Sequence, residues 1–534
     1  MTELLTSGQM RGLEQAAIAS GETTGLRMME RAGRGVVDAV LGRWPDLDRH
    51  RARALVLCGP GNNGGDGYVI ARVLEGRGWT VDVLHWGDPA RLPPDAAAMR
   101  VAWGGDSRGA EGIEVSVLVR PDLIVDALFG TGLTRPLPEA LAAMLDELSG
   151  VSWPDGGKPR CVAVDCPSGL NLDTGFPAGP CVPLPADLTV TFHAPKLGHY
   201  LGEGPSLCGA LDVVPIGLDA GEPAPVDRAP PPGRVRLVGA ASQADWPALL
   251  MARNRGGGHK FDHGSVAVFA GGVGRGGAAR LAARAALRAG AGLVTVICPK
   301  AALIENAARL DAVMLRGLDD PAGLDAAADD RTTGFVIGPG LGVTERTRAL
   351  VHAVLERGGP NGAARRPVVV LDADALTAFQ DDPDALFARL HDRCILTPHE
   401  GEFGRLFPDL ALSRRAGSKV DAVRAAAARA GCLVLLKGED TVIAGPDGGV
   451  AVHAAAYGRA VRWLGTAGAG DVLAGMICGL AAPPGAAELA VMAEAAVWLH
   501  VECARAFGPG LIAEDLPERL PVVLSRLSGM CGAS

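Results

Sequence analysis

The sequence lacks the marks of several large classes of protein. Its 60 acidic residues outnumber its 51 lysine and arginine residues, so the net charge of −9 offers no basic surface to nucleic acid or an anionic membrane. Its 11 cysteines include no C-x-x-C pair, and an odd number cannot all pair within one chain. The longest apolar stretch, near residues 486–507, is interrupted by Glu494 and Glu502. It therefore predicts a buried or amphipathic helix rather than a membrane span.

Three further signatures are missing. The first residues carry an early acid, Glu3, instead of the basic and then apolar stretch of a signal peptide. Because the cysteines are scattered and odd in number, which fits a reducing compartment, we expect a cytoplasmic protein. No G-x-x-x-x-G-K-[ST] segment occurs, which disfavours a P-loop NTPase. No fixed-period repeat relates the two halves, which excludes a solenoid or a propeller.

The length and the distribution of proline predict more than one domain. At about 150 residues per domain, 534 residues correspond to two to four domains. Residues 220–233 contain five prolines without apolar periodicity, which is typical of a semi-rigid linker. Short apolar runs alternate with helix-length segments on both sides of it. We therefore predict two tandem three-layer α/β domains with parallel sheets, residues 1–219 and 234–534.

Three apolar runs of the first half end in polar or glycine-rich turns. The segment C-G-P-G-N-N-G-G-D-G at 58–67 follows one run and opens a helix expected at Tyr68 to Gly76, where backbone N–H groups can face an anion. The second run ends at Asp126 and the third at Asp165. Because the carboxyl ends of parallel strands share one edge, these turns should lie close together. Each could also be only a tight turn with a capping side chain.

Two kinds of chemistry are available to these residues. Asn63, Asp126 and Ser168 offer hard oxygen ligands to a hard cation, and the absence of cysteine and histidine among them disfavours zinc. Asp165 could transfer protons, because partial desolvation at a sheet edge can raise the pKa of a carboxyl group toward neutrality.

The second half concentrates its signals in the segment L-G-T-A-G-A-G-D-V-L-A-G-M-I at 464–477. A helix N-terminus there can stabilise phosphate charge, and Asp471 can accept a proton from a hydroxyl group. Lys437 and Thr441 follow a buried strand, His399 follows another, and the glycine loop 338–342 adds no side-chain bulk. Together these features suit phosphoryl transfer to an alcohol. A helix start with an acid near its positive end, or a structural histidine, would give the same local patterns.

Four motifs of the first half resemble, in order and spacing, those of NAD(P)H-hydrate epimerases. They are G-P-G-N-N-G-G-D-G-Y, D-A-L-F-G-T-G-L, A-V-D-C-P-S-G-L-N and T-F-H-A-P-K-L-G, and the resemblance spans roughly residues 1–215. It implies a Rossmann-like fold, Asp165 as the acid/base group, and a potassium ion on Asn63, Asp126 and Ser168. Cys166 stands where an aliphatic residue is usual, and the structural interpretation of this residue is a buried free thiol. The resemblance implies substrate contacts at Asn62, Asn63, Gly64, Gly65, Asp66, Gly130, Thr131, Gly132, Leu133, Thr134, Arg135 and Pro136.

The second half resembles the ADP- or ATP-dependent NAD(P)H-hydrate dehydratases over roughly residues 235–515. Its motifs are H-K-F-D-H-G, A-A-L-R-A-G-A-G-L-V, G-P-G-L-G, T-P-H-E-G-E, K-G-E-D-T and G-A-G-D-V-L-A-G. The resemblance implies a ribokinase-like fold, Asp471 as the catalytic base, ADP or ATP as co-substrate, and magnesium. It implies nucleotide contacts at Lys437, Gly438, Glu439, Asp440, Thr441 and Gly470, and contacts with the hydrated substrate at Gly340, Gly342 and His399. Ala469 stands where threonine is common, and the G-A-G-D form occurs in ribokinase-like sugar kinases.

Together the resemblances imply a bifunctional enzyme that repairs hydrated NADH and NADPH. The first half would interconvert the R and S epimers, and the second would dehydrate the S form through a phosphorylated intermediate. A homo-oligomer without nucleic-acid or membrane partners is expected. Two alternatives stay open. One is a small-molecule kinase with a regulatory nucleotide-binding half, and the other is a non-catalytic interaction protein, which would not need both Asp165 and Asp471.

Overall fold

The computed structural model describes residues 3–49, 52–153, 157–218, 232–239, 259–357, 366–411, 417–484, 486 and 488–531. The chain divides into two compact units, one spanning Glu3–Pro223 and the other Ala224–Ser534. This division falls inside the segment predicted to be a linker, 220–233. Apart from residues 232 and 233, that segment lies outside the described residues.

The amino-terminal unit is built on a parallel sheet whose strand order reverses at its centre. From β2 the chain moves outward through β3 and β4 on one side, and from β5 through β8 on the other, with every neighbouring pair parallel. Open α/β sheets bind ligands at such a reversal, outside the carboxyl ends of the strands. The strands of this unit are β1 (Glu3–Leu4), β2 (Arg53–Cys58), β3 (Thr80–His85), β4 (Ser107–Gly109), β5 (Leu123–Ala127), β6 (Arg160–Val164), β7 (Leu188–Phe192) and β8 (Ala210–Val214). Of these, β2 to β8 form the sheet, in the order β4-β3-β2-β5-β6-β7-β8.

Helices cover both faces of this sheet. In β2, Val56 packs with the apolar side chains of α2 and α3, whereas its neighbours Leu55 and Leu57 pack with those of α5. Alternate residues of a strand face opposite sides, so a strand that is apolar at every position requires cover on both. The predicted three-layer organisation is confirmed for this unit. The helices are α1 (Ser7–Ala19), α2 (Gly25–Arg43), α3 (Asn62–Gly76), α4 (Pro94–Trp103), α5 (Glu139–Gly150) and α6 (Gly204–Cys208).

The carboxy-terminal unit has a second sheet, which is parallel except around β17. The antiparallel pairs are β16 with β17 and β17 with β18. The order reverses between β10 and β13, which again places a ligand edge at the centre of the sheet. The strands are β9 (Val235–Leu237), β10 (Ser265–Phe269), β11 (Leu293–Cys298), β12 (Met314–Gly317), β13 (Gly334–Ile337), β14 (Val368–Leu371), β15 (Cys394–Leu396), β16 (Leu433–Leu436), β17 (Asp440–Ala444) and β18 (Val450–Ala454), in the order β9-β18-β17-β16-β15-β14-β13-β10-β11-β12.

Both faces of the second sheet are buried as well. Val294 and Val296 of β11 pack into the core that the alanine-rich helices form, while Phe269 and Phe335 stack on the opposite face with ring centroids 6.3 Å apart. The two-domain α/β prediction is therefore confirmed. The helices are α7 (Gly277–Ala289), α8 (Leu303–Ala307), α9 (Leu324–Ala327), α10 (Glu345–Glu356), α11 (Asp374–Thr377), α12 (Pro383–Phe387), α13 (Glu400–Leu406), α14 (Lys419–Ala430), α15 (Ala469–Ala481), α16 (Leu489–Phe507) and α17 (Asp515–Cys531).

The apolar stretch near 486–507 forms α16, as predicted. Glu494 is buried in it and forms an ion pair with Arg236 of β9, in which Nε donates to Oε2 at 3.0 Å. Among the described helices, none combines the length and the apolar character that crossing a membrane requires. The cytoplasmic location and the homo-oligomer stay predictions.

Helix α15, which carries Asp471, is packed tightly on α7. A Cβ atom added at Gly475 would lie 2.1 Å from the backbone oxygen of Ala282, which real contacts do not allow. We expect Gly475→Ala to destabilise the carboxy-terminal unit by about 1–3 kcal/mol, because the helices must move apart. Urea unfolding of the full chain measures this. The matched control is Gly277→Ala, since a Cβ atom added there meets nothing within 4 Å, and equal stability of the two variants would contradict the packing argument.

Candidate active sites

Asp165 is the most tightly held side chain at the first ligand edge. It directly follows β6 with φ of 67°, a left-handed conformation that costs a non-glycine residue about 1–3 kcal/mol. Its Oδ2 accepts hydrogen bonds from the backbone N–H, at 2.6 Å, and from the hydroxyl of Thr131. Its Oδ1 accepts from Thr191 Oγ1 at 2.8 Å and from Lys196 Nζ at 3.0 Å. The surrounding loops thus fix both carboxylate oxygens.

Lys196 sets the charge state of Asp165. The lysine is 1% exposed, and its Nζ also donates to Thr191 Oγ1 at 2.7 Å and to the backbone oxygen of Phe192 at 3.1 Å. Burial alone raises the pKa of Asp165, but the Lys196 charge and the Thr131 hydrogen bonds outweigh it, so the pKa falls below its usual range. The predicted rise toward neutrality is therefore wrong. Asp165 is therefore ionised at neutral pH, and the Lys196 charge makes it a weaker base than a free carboxylate.

His199 contacts the backbone of both Asp165 and Lys196. Its Nε2 lies 2.9 Å from the backbone oxygen of Asp165, and its Nδ1 accepts a hydrogen bond from the backbone N–H of Lys196 at 3.0 Å. Burial and then the Lys196 charge lower the pKa of His199 to about 4. The neutral ring therefore donates from Nε2 and holds the backbone of both residues.

The pKa values of two further carboxyl groups, Asp66 and Glu14, shift in the opposite direction to that of Asp165. Burial, followed by the charges of Asp165 and Glu14, raises the pKa of Asp66 well above its usual value. Burial and the Asp165 charge also raise the pKa of Glu14. Among the described residues, none donates a hydrogen bond to the Asp66 carboxyl group. The edge thus combines a carboxylate that ionises readily with a carboxyl group that holds its proton more strongly than a free aspartic acid does.

The predicted substrate loop reaches the same place. A Cβ atom at Gly130 would lie 2.9 Å from Asp165 Oδ2 and 3.1 Å from Asn63 Oδ1, so the three residues adjoin one another. The Nδ2 atom of Asn63 is buried without a hydrogen-bond partner among the described atoms. Thr134, Arg135 and Pro136 are exposed farther along the loop, and their contacts with substrate stay predictions.

Of the predicted cation ligands, Asp126 and Ser168 touch directly. Ser168 donates from Oγ to Asp126 Oδ1 at 2.5 Å and from its backbone N–H to Oδ2 at 2.7 Å, and both residues are fully buried. Burial raises the pKa of Asp126, and the hydrogen bonds from Ser168 act against that rise. No hydrogen bond joins Asn63 to either of them within the described part of the chain. Cys166 is a buried free thiol, as its structural interpretation predicts.

In the second unit, Asp471 lies in the first turn of α15 after Gly468, whose φ is 89°. Burial and then the charge of Asp372 raise the pKa of Asp471 to about 6, while Lys437 opposes the rise. Such a group loses its proton near neutral pH, which suits a general base. A Cβ atom at Gly470 would lie 3.4 Å from Lys437 Nζ, so the lysine adjoins the start of the helix.

Asp372 ties Lys437 into this arrangement. It follows β14, is 1% exposed, and its Oδ1 accepts a hydrogen bond from Lys437 Nζ at 2.5 Å. Burial lowers the pKa of Lys437, but Asp372 raises it more, so the net shift is upward and the lysine is a cation. A Cβ atom at Gly338 would lie 1.7 Å from the backbone oxygen of Asp372, so the glycine loop abuts the same strand end. Gly342 donates its N–H to Asp374 Oδ2 at 2.7 Å.

Some polar groups of the predicted nucleotide loop, 437–441, are already hydrogen-bonded within the protein. Thr441 Oγ1 donates to the backbone oxygen of Gly438 at 2.9 Å, and Asp440 accepts from the buried Lys419 at 2.6 Å. Gly438 and Glu439 are exposed between them. The charge of Lys437 and the backbone of the loop are therefore more available to a nucleotide than the Thr441 hydroxyl group is.

His399 combines a structural contact with an exposed ring. Its Nδ1 accepts hydrogen bonds from the N–H groups of Gly401, at 3.0 Å, and Glu402, at 3.2 Å, which caps α13. More than half of the side chain is exposed. The capping role of the ring is observed, and contact with the substrate stays a prediction.

Three residues that the sequence reasoning did not assign are central to these sites. Lys196 stands in the motif T-F-H-A-P-K-L-G, Asp372 directly follows the apolar run V-V-V-L, and Glu14 belongs to α1. A polar residue at the end of an apolar run was the signal that found Asp126 and Asp165, and it would have found Asp372. No local pattern predicts that Lys196 folds back onto Asp165.

Comparison with known proteins gives two family models and full-length relatives. Residues 25–198 match a model described as YjeF-related protein N-terminus, and residues 266–520 match one described as NAD(P)H-hydrate dehydratase. A bifunctional NAD(P)H-hydrate repair enzyme of Salinibacter ruber is 34% identical over 98% of this chain and 97% of its own. One of Escherichia coli is 34% identical over 95% and 90%. An NAD(P)H-hydrate epimerase of Rhodobacter capsulatus is 44% identical over 41% of this chain and all of its own.

Solved structures also resemble the chain. A ribokinase-like superfamily protein of Enterococcus faecalis has a TM-score of 0.46 at 22% identity and covers 55% of this chain and 96% of its own. An ADP/ATP-dependent NAD(P)H-hydrate dehydratase of Bacillus subtilis, co-crystallised with ATP and Mg²⁺, has a TM-score of 0.41 at 27% identity over 51% and 92%. Because the two bifunctional relatives match at 34% identity over at least 90% of both chains, the protein belongs to the family of bifunctional NAD(P)H-hydrate repair enzymes.

Proposed function

We propose that the protein restores hydrated NADH and NADPH with two active sites, an epimerase site around Asp165 and a dehydratase site around Asp471. The full-length match to bifunctional repair enzymes supports both activities in one chain. The observation that carries the residue assignment is that each unit holds an aspartate beside a lysine at the ligand edge of its own sheet. Asp165 accepts a hydrogen bond from Lys196 Nζ, and Lys437, whose ion-pair partner is Asp372, acts electrostatically on Asp471.

Epimerisation inverts the ring carbon that bears the added hydroxyl group, so one bond at that carbon has to break and re-form. Ionised Asp165 can take the hydroxyl proton, which allows a carbonyl group to form while the bond to the ring nitrogen opens. Asp66, whose pKa is raised well above its usual value, is proposed to deliver a proton to that nitrogen. The reverse steps close the ring on its other face. Carboxyl groups whose environments separate their pKa values suit this division between acid and base.

A potassium ion is proposed to bind the oxygen atoms of Asn63, Asp126 and Ser168. The donor set fits, because all three supply hard oxygen ligands and the unpartnered Nδ2 of Asn63 leaves its amide free to turn its oxygen toward an ion. Among the described residues, no group of three or more histidine, cysteine, aspartate or glutamate side chains is arranged to hold a metal. The bound ion would neutralise the buried charge of Asp126.

Epimerisation should therefore depend on potassium, and Asp126→Ala should lower the apparent affinity for the ion by at least about tenfold. The assay compares potassium chloride with tetramethylammonium chloride at equal ionic strength, separating the epimers by chromatography. The control is Asp146→Ala, which removes an exposed carboxylate from α5. If the parent protein works equally well in both salts, the three residues are turn caps.

In the dehydratase site, Asp471 is proposed to accept the proton of the ring hydroxyl group while the oxygen of that hydroxyl group attacks the terminal phosphate of ADP or ATP. Lys437 and the N-terminus of α15 then lie where they can stabilise the transferred charge. Elimination of phosphate with a ring proton restores the double bond, because phosphate leaves far more readily than hydroxide. Magnesium is proposed to bind with the nucleotide, since it binds phosphates together with one or two carboxylates.

The function is tested by giving the protein a mixture of R and S hydrates with ADP or ATP. We expect complete conversion to NADH, which is monitored through the absorbance of NADH. One phosphate should be released for each NADH formed. A stable phosphorylated product without NADH would instead establish the small-molecule kinase, the alternative that Ala469 leaves open.

A further inference from the structure

Helix α1 places an exposed arginine, Arg11, beside the predicted substrate loop of the epimerase site. A Cβ atom at Gly132 would lie 3.0 Å from Nη1 and 3.6 Å from Cζ of Arg11, so the guanidinium group lies against this loop. Arg11 also acts electrostatically on Glu14, which in turn acts on Asp66. Arg11 therefore contacts the predicted substrate loop and also interacts electrostatically with Glu14, one of the carboxyl groups near Asp165.

The position of α1 is fixed by the chain segment that carries Lys196. Leu5 donates its N–H to the backbone oxygen of Pro195 at 3.0 Å, and Leu197 donates to the backbone oxygen of Leu5 at 3.1 Å. The N–H of Ser7 donates to Asp173 Oδ1 at 2.6 Å. These contacts hold the first turn of α1 against the loops around the site, so the placement of Arg11 is built into the fold. Helix α1 lies outside residues 25–198, which the family model matches.

A phosphate group at this site would need a cation other than Lys196, which is fully buried and paired with Asp165. A hydrated dinucleotide carries a negatively charged pyrophosphate, and the NADPH form carries an additional phosphate on its adenosine ribose. Among the described residues, no carboxylate forms an ion pair with Arg11, which is exposed. Its planar fork of donors matches the geometry of phosphate oxygens.

We propose that Arg11 binds a phosphate group of the hydrated dinucleotide and thereby sets the affinity of the epimerase site for its substrate. The proposal rests on the epimerase function proposed above. In this role Arg11 takes no part in bond breaking, so its removal should act on KM and leave kcat close to that of the parent protein.

Epimerisation kinetics of the full chain test this role. Without ADP or ATP no dehydration occurs, so chromatographic separation of the epimers measures epimerisation alone. We expect Arg11→Gln to raise KM by about tenfold to a hundredfold, which corresponds to the loss of a charged hydrogen bond, and Arg11→Lys to restore part of it. The matched control is Arg43→Gln. Arg43 is an exposed arginine at the end of α2, and the chain continues from there to the amino-terminal edge of the sheet, opposite the ligand edge.

Comparing the two substrates identifies the phosphate. An equal rise in KM for hydrated NADH and hydrated NADPH assigns Arg11 to the pyrophosphate, whereas a rise confined to hydrated NADPH assigns it to the ribose phosphate. An unchanged KM for both substrates in Arg11→Gln overturns the proposal while the parent protein still epimerises. A parent protein that does not epimerise would overturn the proposed function itself.

Discussion

Asp165→Asn is expected to lower the rate of epimerisation by about two to four orders of magnitude, because asparagine keeps the shape of the side chain but cannot accept the substrate proton. The measurement follows conversion of pure R hydrate to S hydrate in the absence of nucleotide. Dehydration of the S hydrate by the same variant, after addition of ADP or ATP, should match that of the parent protein.

The same substitution leaves the charge of Lys196 buried without its counterion. Removing one partner of a buried ion pair costs about 3–5 kcal/mol, and Lys196 is 1% exposed. We therefore expect Asp165→Asn to lower the free energy of unfolding of the amino-terminal unit, and Asp165→Asn/Lys196→Met to recover most of it. Epimerisation should stay low in both variants. A double variant that regains both stability and epimerisation would show that Asp165 is only a structural partner of the lysine.

Asp471→Asn is expected to lower dehydration of the S hydrate by about two to four orders of magnitude while epimerisation continues at the parent rate. In the parent protein, Asp471 must be ionised to accept the hydroxyl proton, and its pKa is raised to about 6. The dehydration rate should therefore rise with pH through about 6 and level off above it. Regenerated NADH and released phosphate both report the rate, and parental dehydration by Asp471→Asn would assign the base to another residue.

The pH dependence also tests the cause of the raised pKa. Asp372→Asn removes a negative charge that raises the pKa of Asp471, and it releases Lys437, which lowers it. Both changes favour the ionised form of Asp471. The rising limb of the pH–rate profile should move to lower pH in this variant, and a limb that stays in place would show that Asp372 and Lys437 do not set the pKa of Asp471.

The fold could be predicted from sequence because its signals are local. The apolar runs that became β2, β5 and β6 are separated by helix-length segments. The helix expected after the glycine-rich segment is α3, but it begins at Asn62 within that segment and not at Tyr68. Parallel strands then require their carboxyl ends to meet at one edge, so Asp165 could be placed near Asn63 without knowledge of any side-chain contact.

The electrostatics could not be predicted in the same way. The pKa of Asp165 shifts down rather than up because Lys196, which lies 31 positions later in the chain, places its Nζ 3.0 Å from the carboxylate. That contact is tertiary, and no pattern in the sequence encodes it. Likewise, the turn of the Thr441 hydroxyl onto Gly438 depends on the path of the loop rather than on its composition.

Complementation between two full-length variants tests the division of labour most directly. Asp165→Asn, given ADP or ATP and a mixture of both hydrates, should regenerate NADH from the S form and then stall with the R form left over, apart from slow spontaneous epimerisation. Adding Asp471→Asn, which should epimerise but not dehydrate, should restart the reaction and carry it to completion. Prompt consumption of both hydrates by Asp165→Asn alone, or failure of a folded Asp471→Asn to restart it, would contradict two separate sites with these roles.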